Sequence, residues 1–144
     1  MAIGDLSHLQ DSCYAQLKET MELTRNNTRM DLILALNYSG RWEIAEAARK
    51  IALDVENGHL ISSAVTPDLF TSYLETKDIP DPELLIRTSG ENRISNFLLW
   101  QIAYAELYFS PKLWPDYRKD DLYEAIIDYQ NRERRFGMIS EQIK

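Results

Sequence analysis

The sequence is poor in residues that crosslink a chain or interrupt it. Among 144 residues there are five glycines, five prolines and one cysteine, Cys13. A single cysteine can make no disulfide within the chain and supports no cysteine-based zinc site, so it favours a reducing compartment. We therefore expect a cytoplasmic protein.

A long hydrophobic run is also missing. The densest apolar stretch, Phe97 to Ala103, is interrupted by Gln101 and is far shorter than the about 20 residues that a membrane-spanning helix needs. Residues 1–5 show no basic region followed by an apolar run, so no signal peptide is expected. The sequence predicts a soluble chain, which can still touch a membrane surface.

Positive charge is scarce as well. Sixteen lysines and arginines stand against 23 aspartates and glutamates, for a net charge of −7. This balance argues against nucleic acid as a partner, because a broad nucleic-acid surface needs a basic stripe, but it leaves room for a local basic pocket that holds a small anion. Hydrophobic residues make up 44% of the chain, which is ordinary for a globular protein. We expect residues 1–144 to form a single domain.

Capping residues and apolar spacing predict five helices. They begin after Ser7, near Trp42, at Pro67, at Asn96 and at Asp120 or Asp121. In the first helix, Ser7 and Gln10 have the form of a capping box, and Cys13 lies on the apolar stripe. In the second, the inner stripe is expected to be Ile44, Ala48, Ile51 and Val55.

Three apolar segments predict strands between these helices. They are Leu32–Leu36, which is expected to be buried on both faces, Leu84–Ile86 and Glu106–Phe109. Strands that alternate with helices are typical of an α/β fold in which a parallel sheet is flanked by helices on both faces.

Polar residues follow two of the predicted strands, where open parallel sheets bind ligands. One segment runs from Asn37 to Glu43 and the other from Arg87 to Ser95. In the second, Arg87 and Arg93 carry planar donor forks suited to phosphate oxygens. Gly90 allows a sharp turn, and Ser95 is expected at a helix N-terminus, which attracts anions. The segment favours anion binding, with an arginine–carboxylate network around Glu91 as the alternative.

Several motifs in order along the chain resemble one family. They are Asn37-Tyr38-Ser39-Gly40-Arg41-Trp42, Arg87 to Gln101, Ala103 to Phe109, Leu113-Trp114-Pro115-Asp116 and Asn131 to Gly137. Together they resemble the C-terminal half of bacterial undecaprenyl diphosphate synthases, which are cis-prenyltransferases. The resemblance implies a partial cis-prenyltransferase fold that covers nearly the whole chain.

The family condenses isopentenyl diphosphate with an allylic diphosphate, normally farnesyl diphosphate, and makes a polyprenyl diphosphate lipid carrier for cell-wall synthesis. The resemblance implies that Arg87, Arg93 and Ser95 hold the isopentenyl diphosphate headgroup. It also implies that Glu106 belongs to a Mg²⁺ site, which suits the preference of Mg²⁺ for carboxylates and phosphate oxygens. The lipid product would bring the protein to a membrane surface.

The resemblance further implies a homodimer in which the tail reaches the diphosphate site of the other subunit. Arg135 and Gly137 match the family's Arg-x-Gly motif in that tail. The alternative for the charged run Asn131 to Arg135 is a solvated helix end.

Four further residues are expected either to line the site or to brace its loops. They are Asn37, Arg41, Glu91 and Asn92. Asn92 stands where many bacterial members have a histidine linked to the metal, so we do not assign it as a firm ligand. Glu91 is expected to orient Arg93 rather than to do chemistry.

The family's Asp-Gly-Asn-Gly-Arg-Trp motif, which grips the allylic diphosphate, does not occur in this sequence. We therefore assign no catalytic residue. Two interpretations follow: a C-terminal piece of the enzyme that is inactive alone, or a non-catalytic accessory subunit. A nucleotide-binding domain is disfavoured, because no glycine-rich phosphate loop follows an early strand.

Overall fold

The computed structural model describes residues 1–133. The chain forms two compact units, Met1–Pro80 and a second unit that begins at Asp81. The first unit contains β1 (Ala2–Ile3), α1 (Asp11–Thr24), β2 (Leu34–Ala35), α2 (Gly40–Glu56) and α3 (Pro67–Thr71). The second contains β3 (Leu84–Arg87), β4 (Glu106–Phe109) and α4 (Lys119–Gln130). The single-domain organisation stays a prediction.

The strands form a parallel pair in each unit. In the first unit β1 pairs with β2, and in the second Leu84 lies opposite Glu106 and Arg87 opposite Phe109. Parallel neighbours require a long crossover connection, and α1 lies within the connection between β1 and β2. The α/β class with parallel strands and flanking helices is confirmed.

Helices α2 and α3 are both capped at their N-termini by side-chain hydroxyls, and α2 begins two residues earlier than predicted, at Gly40. The Ser39 hydroxyl oxygen accepts a hydrogen bond from the Trp42 backbone N–H at 3.2 Å, and Thr66 caps α3 in the same way. Gly58, with φ +74°, follows the end of α2. The buried face of α2 is rotated from the predicted stripe, because Ala47 is fully buried and Ala48 is exposed.

The predicted capping box at Ser7 is wrong. The Asp5 carboxylate accepts from both the Ser7 backbone N–H, at 3.1 Å, and the Ser7 hydroxyl, at 2.6 Å, so this stronger acceptor holds Ser7 in a 3₁₀ turn. Helix α1 begins later, at Asp11, and none of its residues is buried. Cys13 is exposed, contrary to its expected place in the packing.

The segment Leu32–Leu36 is shorter as a strand and more exposed than predicted. Only Leu34 and Ala35 are in strand conformation, and both are exposed, with Leu32 at 64%. Burial on both faces needs a packed layer on each side of the strand. Among residues 1–133, β2 has no such cover.

The short helix predicted after Ser95 does not form. Residues 95–104 form turns and bends, and three of them have positive φ: Ser95 at +49°, Asn96 at +64° and Leu98 at +46°. Left-handed backbone is incompatible with a right-handed helix. The helix N-terminus expected at Ser95 is therefore absent from the described structure.

Helix α4 is fixed at its start by the buried carboxylate of Asp121. One oxygen accepts from the Arg118 backbone N–H at 2.7 Å and the other is in contact with the Lys112 ammonium. The bond from Lys112, followed by that from Arg118, lowers the pKa of Asp121. Within residues 1–133, no helix has both the length and the apolarity to cross a membrane.

We predict that Asp121→Asn lowers the melting temperature by roughly 3–6 °C near neutral pH. Because the folded-state pKa is depressed, the stabilisation by the carboxylate is present above the unfolded pKa and is lost as the pH falls through the folded pKa. The difference between wild type and variant should therefore begin to shrink near pH 4, the unfolded pKa, and disappear only at more acidic pH, below the folded pKa. Thermal denaturation by circular dichroism across pH measures it, with the exposed Asp120→Asn as control; equal losses in both variants would contradict the assignment.

Candidate functional site

The turn after β3 is held to the segment after β4. The Arg87 carbonyl accepts from the Ser110 N–H at 2.8 Å, and the N–H groups of Ser89 and Gly90 donate to the carbonyls of Lys112 and Ser110 at 2.7 and 2.9 Å. Ser89 and Gly90 have φ values of +72° and +66°. Glycine adopts this conformation freely, whereas for serine the conformation costs about 1 kcal/mol or more. The turn is therefore tightly specified.

Arg87 carries a buried donor at this turn. Its side chain is half-buried, and its Nε–H is buried without a hydrogen-bond acceptor among residues 1–133. An unsatisfied buried donor costs about 1–3 kcal/mol, and more when the group is charged. The geometry therefore leaves Arg87 suited to an anionic acceptor.

Arg93 is already paired. Its guanidinium is in contact with the Glu91 carboxylate, and the two side chains are 66% and 36% exposed. The arginine–carboxylate alternative thus describes Arg93, but not the Nε of Arg87. An exposed pair of this kind contributes only about 0–1 kcal/mol, so the pairing can be exchanged for a stronger anion.

The remaining residues of this loop are on the surface. Asn92 and Ser95 are both exposed, and Ser95 has left-handed backbone. The expected contribution of a helix dipole at Ser95 is wrong for the described structure, because no helix begins there. Its hydroxyl remains a candidate donor.

Glu106 lies at the other end of the strand pair. It is the first residue of β4, opposite Leu84, and three residues of parallel strand separate it from the level of Arg87, about 10 Å. Its Oε2 accepts from Arg132 at 2.9 Å. The structure therefore brings Arg87 and Glu106 into one strand pair but not into one cluster.

The described residues do not assemble a metal site. Residues 1–133 contain no group of three or more His, Cys, Asp or Glu side chains arranged to hold an ion. The Glu106 carboxylate, which the resemblance links to Mg²⁺, is bound to an arginine instead. Sequence reasoning missed Arg132 as the partner of Glu106, because the two residues are 26 positions apart and only the fold brings them together.

In the first unit, Asn37 and Arg41 follow β2. Asn37 braces the loop: its Nδ2 donates to the Asp5 carbonyl at 3.2 Å, and its own carbonyl accepts from the Asp5 N–H at 3.4 Å. Arg41 is exposed in the first turn of α2. Glu43, at the end of the same segment, is a 2% exposed carboxylate that accepts from the Tyr38 hydroxyl at 2.5 Å.

A cavity of about 500 Å³ lies on the face of β3 that carries Ile86, opposite to the face that carries Arg87. Its lining is Ile86, Thr88, Trp114, Tyr117, Arg118, Lys119 and Leu122. Successive strand residues point to opposite faces, so Ile86 and Thr88 line this cavity and Arg87 does not. None of the predicted site residues belongs to it. Arg135 and Gly137 lie outside the described residues.

Comparison with known proteins supplies the family. The family model for undecaprenyl diphosphate synthase matches residues 1–137. The chain belongs to this family. An isoprenyl transferase from Chlorobaculum tepidum is 56% identical over 142 residues, which cover 99% of this chain and 54% of the relative. A (2E,6E)-farnesyl-diphosphate-specific ditrans,polycis-undecaprenyl-diphosphate synthase from Coxiella burnetii is 46% identical, over 99% and 60% of the two chains.

A solved structure agrees with these relatives. Lavandulyl diphosphate synthase from Lavandula x intermedia, in complex with dimethylallyl diphosphate, superposes with a TM-score of 0.91 at 44% identity. The match covers 94% of this chain and 58% of that one. This chain spans little more than half the length of the relatives it matches.

We predict that Glu91→Gln strengthens the binding of inorganic pyrophosphate about 2- to 5-fold, since it removes the carboxylate that competes for Arg93. Isothermal titration calorimetry measures the affinity. Glu22→Gln, which removes the partner of Arg25 in a more exposed arginine–glutamate pair, is the control and should change nothing. Weaker binding by Glu91→Gln would mean instead that Glu91 orients Arg93 for the ligand.

Proposed function

We propose that this chain supplies the isopentenyl diphosphate site of a cis-prenyltransferase that makes polyprenyl diphosphate. The observation that carries the proposal is the buried, unpartnered Nε–H of Arg87 at the fixed turn after β3. The family membership and the resemblance of residues 87–101 support it. In the whole enzyme the allylic diphosphate ionises, the isopentenyl double bond attacks the resulting cation, and a proton is lost.

The role of the loop is to bind and orient the diphosphate. The backbone N–H groups of Ser89 and Gly90 are already used by carbonyls of the same unit, so the anion is held by side chains. Arg87 provides a donor from the turn, and Arg93 exchanges Glu91 for phosphate oxygens. Charge-assisted, bidentate contacts of arginine with phosphate are among the stronger hydrogen bonds in proteins. Ser95 adds a hydroxyl.

Bound Mg²⁺ would neutralise phosphate charge in such an enzyme. The described residues do not fit the ion by themselves, because Glu106 is held by Arg132 and no further carboxylate or imidazole completes a ligand set among them. We therefore keep Mg²⁺ as part of the proposal for the whole enzyme and assign no step to it. The homodimer, with Arg135 and Gly137 at the other subunit's site, is proposed from the family resemblance. The cytoplasmic location is proposed from the single cysteine.

An accessory subunit is the alternative function. Such a subunit would support another chain's site and would have no need of its own diphosphate donors. The free Nε–H of Arg87 favours substrate binding over this alternative. Direct binding measurements separate the two.

We predict that the chain binds isopentenyl diphosphate and that Arg87→Gln weakens binding by about 10- to 100-fold. This is the range that corresponds to the loss of a hydrogen bond from a charged group, about 1.5–3 kcal/mol. Arg93→Gln should weaken binding less. In the wild type Arg93 must give up its exposed contact with Glu91 before it binds the ligand, and this reduces its net contribution to the affinity. Isothermal titration calorimetry with and without Mg²⁺ measures the affinities.

Arg49→Gln is the matched control for these variants. Arg49 is an exposed arginine of α2, paired with Glu46 at 2.8 Å in the other unit, so its replacement should leave the affinity unchanged. No binding by the wild-type chain, or an equal loss in Arg49→Gln, would reject the proposed site.

We further predict that the 144-residue chain alone makes no prenyl product, because the motif that grips the allylic diphosphate does not occur in it. Purified protein is incubated with farnesyl diphosphate, radiolabelled isopentenyl diphosphate and Mg²⁺, and the extracted lipids are separated by chromatography. A magnesium-dependent elongated product would overturn this prediction without affecting the binding site.

A further inference from the structure

The segment after β4 holds the turn that carries Arg87. We call residues 87–90 the Arg87 turn and residues 110–112 the bracing segment. Three backbone hydrogen bonds join the two: Ser110 N–H to the Arg87 carbonyl at 2.8 Å, Ser89 N–H to the Lys112 carbonyl at 2.7 Å, and Gly90 N–H to the Ser110 carbonyl at 2.9 Å. The Arg87 turn therefore takes its position from the bracing segment.

Lys112 attaches the bracing segment to the start of α4. Its ammonium is in contact with one carboxylate oxygen of Asp121, while the other oxygen accepts from the Arg118 backbone N–H at 2.7 Å. Asp121 is only 6% exposed, and its backbone carbonyl accepts from the Tyr117 hydroxyl at 3.0 Å. Both the side chain and the backbone of Asp121 are therefore fixed, and Lys112 is bonded to a group that is itself held in place.

Both members of this pair are charged near neutral pH. The hydrogen bond between them lowers the pKa of the Asp121 carboxyl and raises the pKa of the Lys112 ammonium. Hydrogen bonds between charged groups are stronger than those between neutral groups, and a buried charge is screened less by salt than an exposed one. The pair is therefore able to hold the bracing segment against the start of α4.

We propose that the ion pair of Asp121 with Lys112 positions the Arg87 turn, which makes Asp121 a positioning residue for the binding of isopentenyl diphosphate. The connection runs from the start of α4 through Asp121 to the Lys112 side chain. It continues from the Lys112 carbonyl through the Ser89 N–H to the Arg87 turn. The inference rests on the proposed function for its ligand, whereas the connection itself belongs to the ligand-free chain.

A purely electrostatic effect of Asp121 has the opposite sign. By charge alone, the replacement of an acidic residue by a neutral one strengthens the binding of an anion. Positioning instead requires that Asp121→Asn weakens binding, because Lys112 is released and the Arg87 turn loosens. In this variant the amide oxygen can still accept from the Arg118 N–H, so the change acts mainly on the bond to Lys112.

Amide hydrogen exchange, followed by nuclear magnetic resonance, tests the connection without a ligand. In Asp121→Asn the amides of Ser89 and Gly90 should exchange at least about ten-fold faster than in the wild type. Ala125→Gly is the matched control. Ala125 is a fully buried residue of α4, so its replacement weakens the same helix and keeps the bond to Lys112. Equal acceleration in Ala125→Gly would overturn the proposal, because loss of helix stability alone would then open the turn.

Isothermal titration calorimetry with isopentenyl diphosphate tests the consequence for binding. Asp121→Asn should weaken binding by about 3- to 10-fold at a temperature at which circular dichroism shows every variant to be folded. Ala125→Gly should keep the wild-type affinity. Asp120→Asn, which removes the same charge from the exposed neighbouring residue, should not weaken binding. Unchanged or stronger binding by Asp121→Asn would contradict the positioning role.

Lys112→Met examines the same bond from its other end. The Lys112 side chain is 53% exposed, so this variant decides the question if Asp121→Asn does not fold. It should accelerate exchange at Ser89 and Gly90 and weaken binding. The double variant Lys112→Met/Asp121→Asn should lose no more affinity than the weaker-binding single variant, because both changes remove one interaction. Additive losses would mean two independent effects and would reject the pair as the connection.

Failure of this inference is distinguishable from failure of the proposed function. If the wild-type chain binds no isopentenyl diphosphate but exchange responds as expected, the proposed function is rejected and the connection from Asp121 to the Arg87 turn stands. If the ligand binds but exchange at Ser89 and Gly90 is the same in all variants, the connection is rejected and the binding site stands.

Discussion

The parallel register of β3 and β4 decides which charged residues of the second unit can meet. Parallel strands present all their carboxyl ends at one edge and all their amino ends at the other. Arg87 ends one strand and Glu106 begins the other, so the pairing of Leu84 with Glu106 separates them by the length of the pair. Glu106, which the resemblance places in the same site as Arg87, therefore lies at the opposite end of the strand pair. The charges at each end must then be balanced by residues at that end.

The two ends balance charge in different ways. At the amino end, Arg132 is satisfied by two carboxylates and a carbonyl, and the bond to Glu106 raises the pKa of the guanidinium further above its ordinary value. At the carboxyl end, Arg87 keeps a buried Nε–H that no described residue accepts. An arginine whose terminal nitrogens are bound by groups of its own chain stabilises a fold, whereas one that is buried with a donor to spare is costly unless a ligand accepts from it. This contrast supports a structural role for Arg132 and the proposed binding role for Arg87 without reference to any motif.

Local signals in the sequence predict what local forces determine. The start of α3 is set by Thr66, whose hydroxyl acts within three residues, and the bounds of β4 were predicted as Glu106–Phe109. The helix predicted after Ser95 does not form, although its apolar sequence suits a helix, because the backbone at Ser95, Asn96 and Leu98 is left-handed. The burial of Leu32–Leu36 and the partner of Glu106 depend on residues far along the chain, so no window of sequence contains them. The likeness of the motifs to a family found the loop at Arg87, but only coordinates could show which of its donors are already used.

The mode of anion binding proposed for this loop follows from where its backbone hydrogen bonds go. Phosphate loops of the glycine-rich kind present backbone N–H groups to the ligand. Here the N–H groups of Ser89 and Gly90 are bonded to the carbonyls of Lys112 and Ser110, so the left-handed turn serves to hold Arg87 in place rather than to cradle phosphate. Recognition then depends on guanidinium groups at fixed positions, one of them half-buried and one exposed and already paired with Glu91. The half-buried group is screened less by solvent and salt than the exposed one, so in the proposed site we expect Arg87 to set the affinity and Arg93 to adjust it.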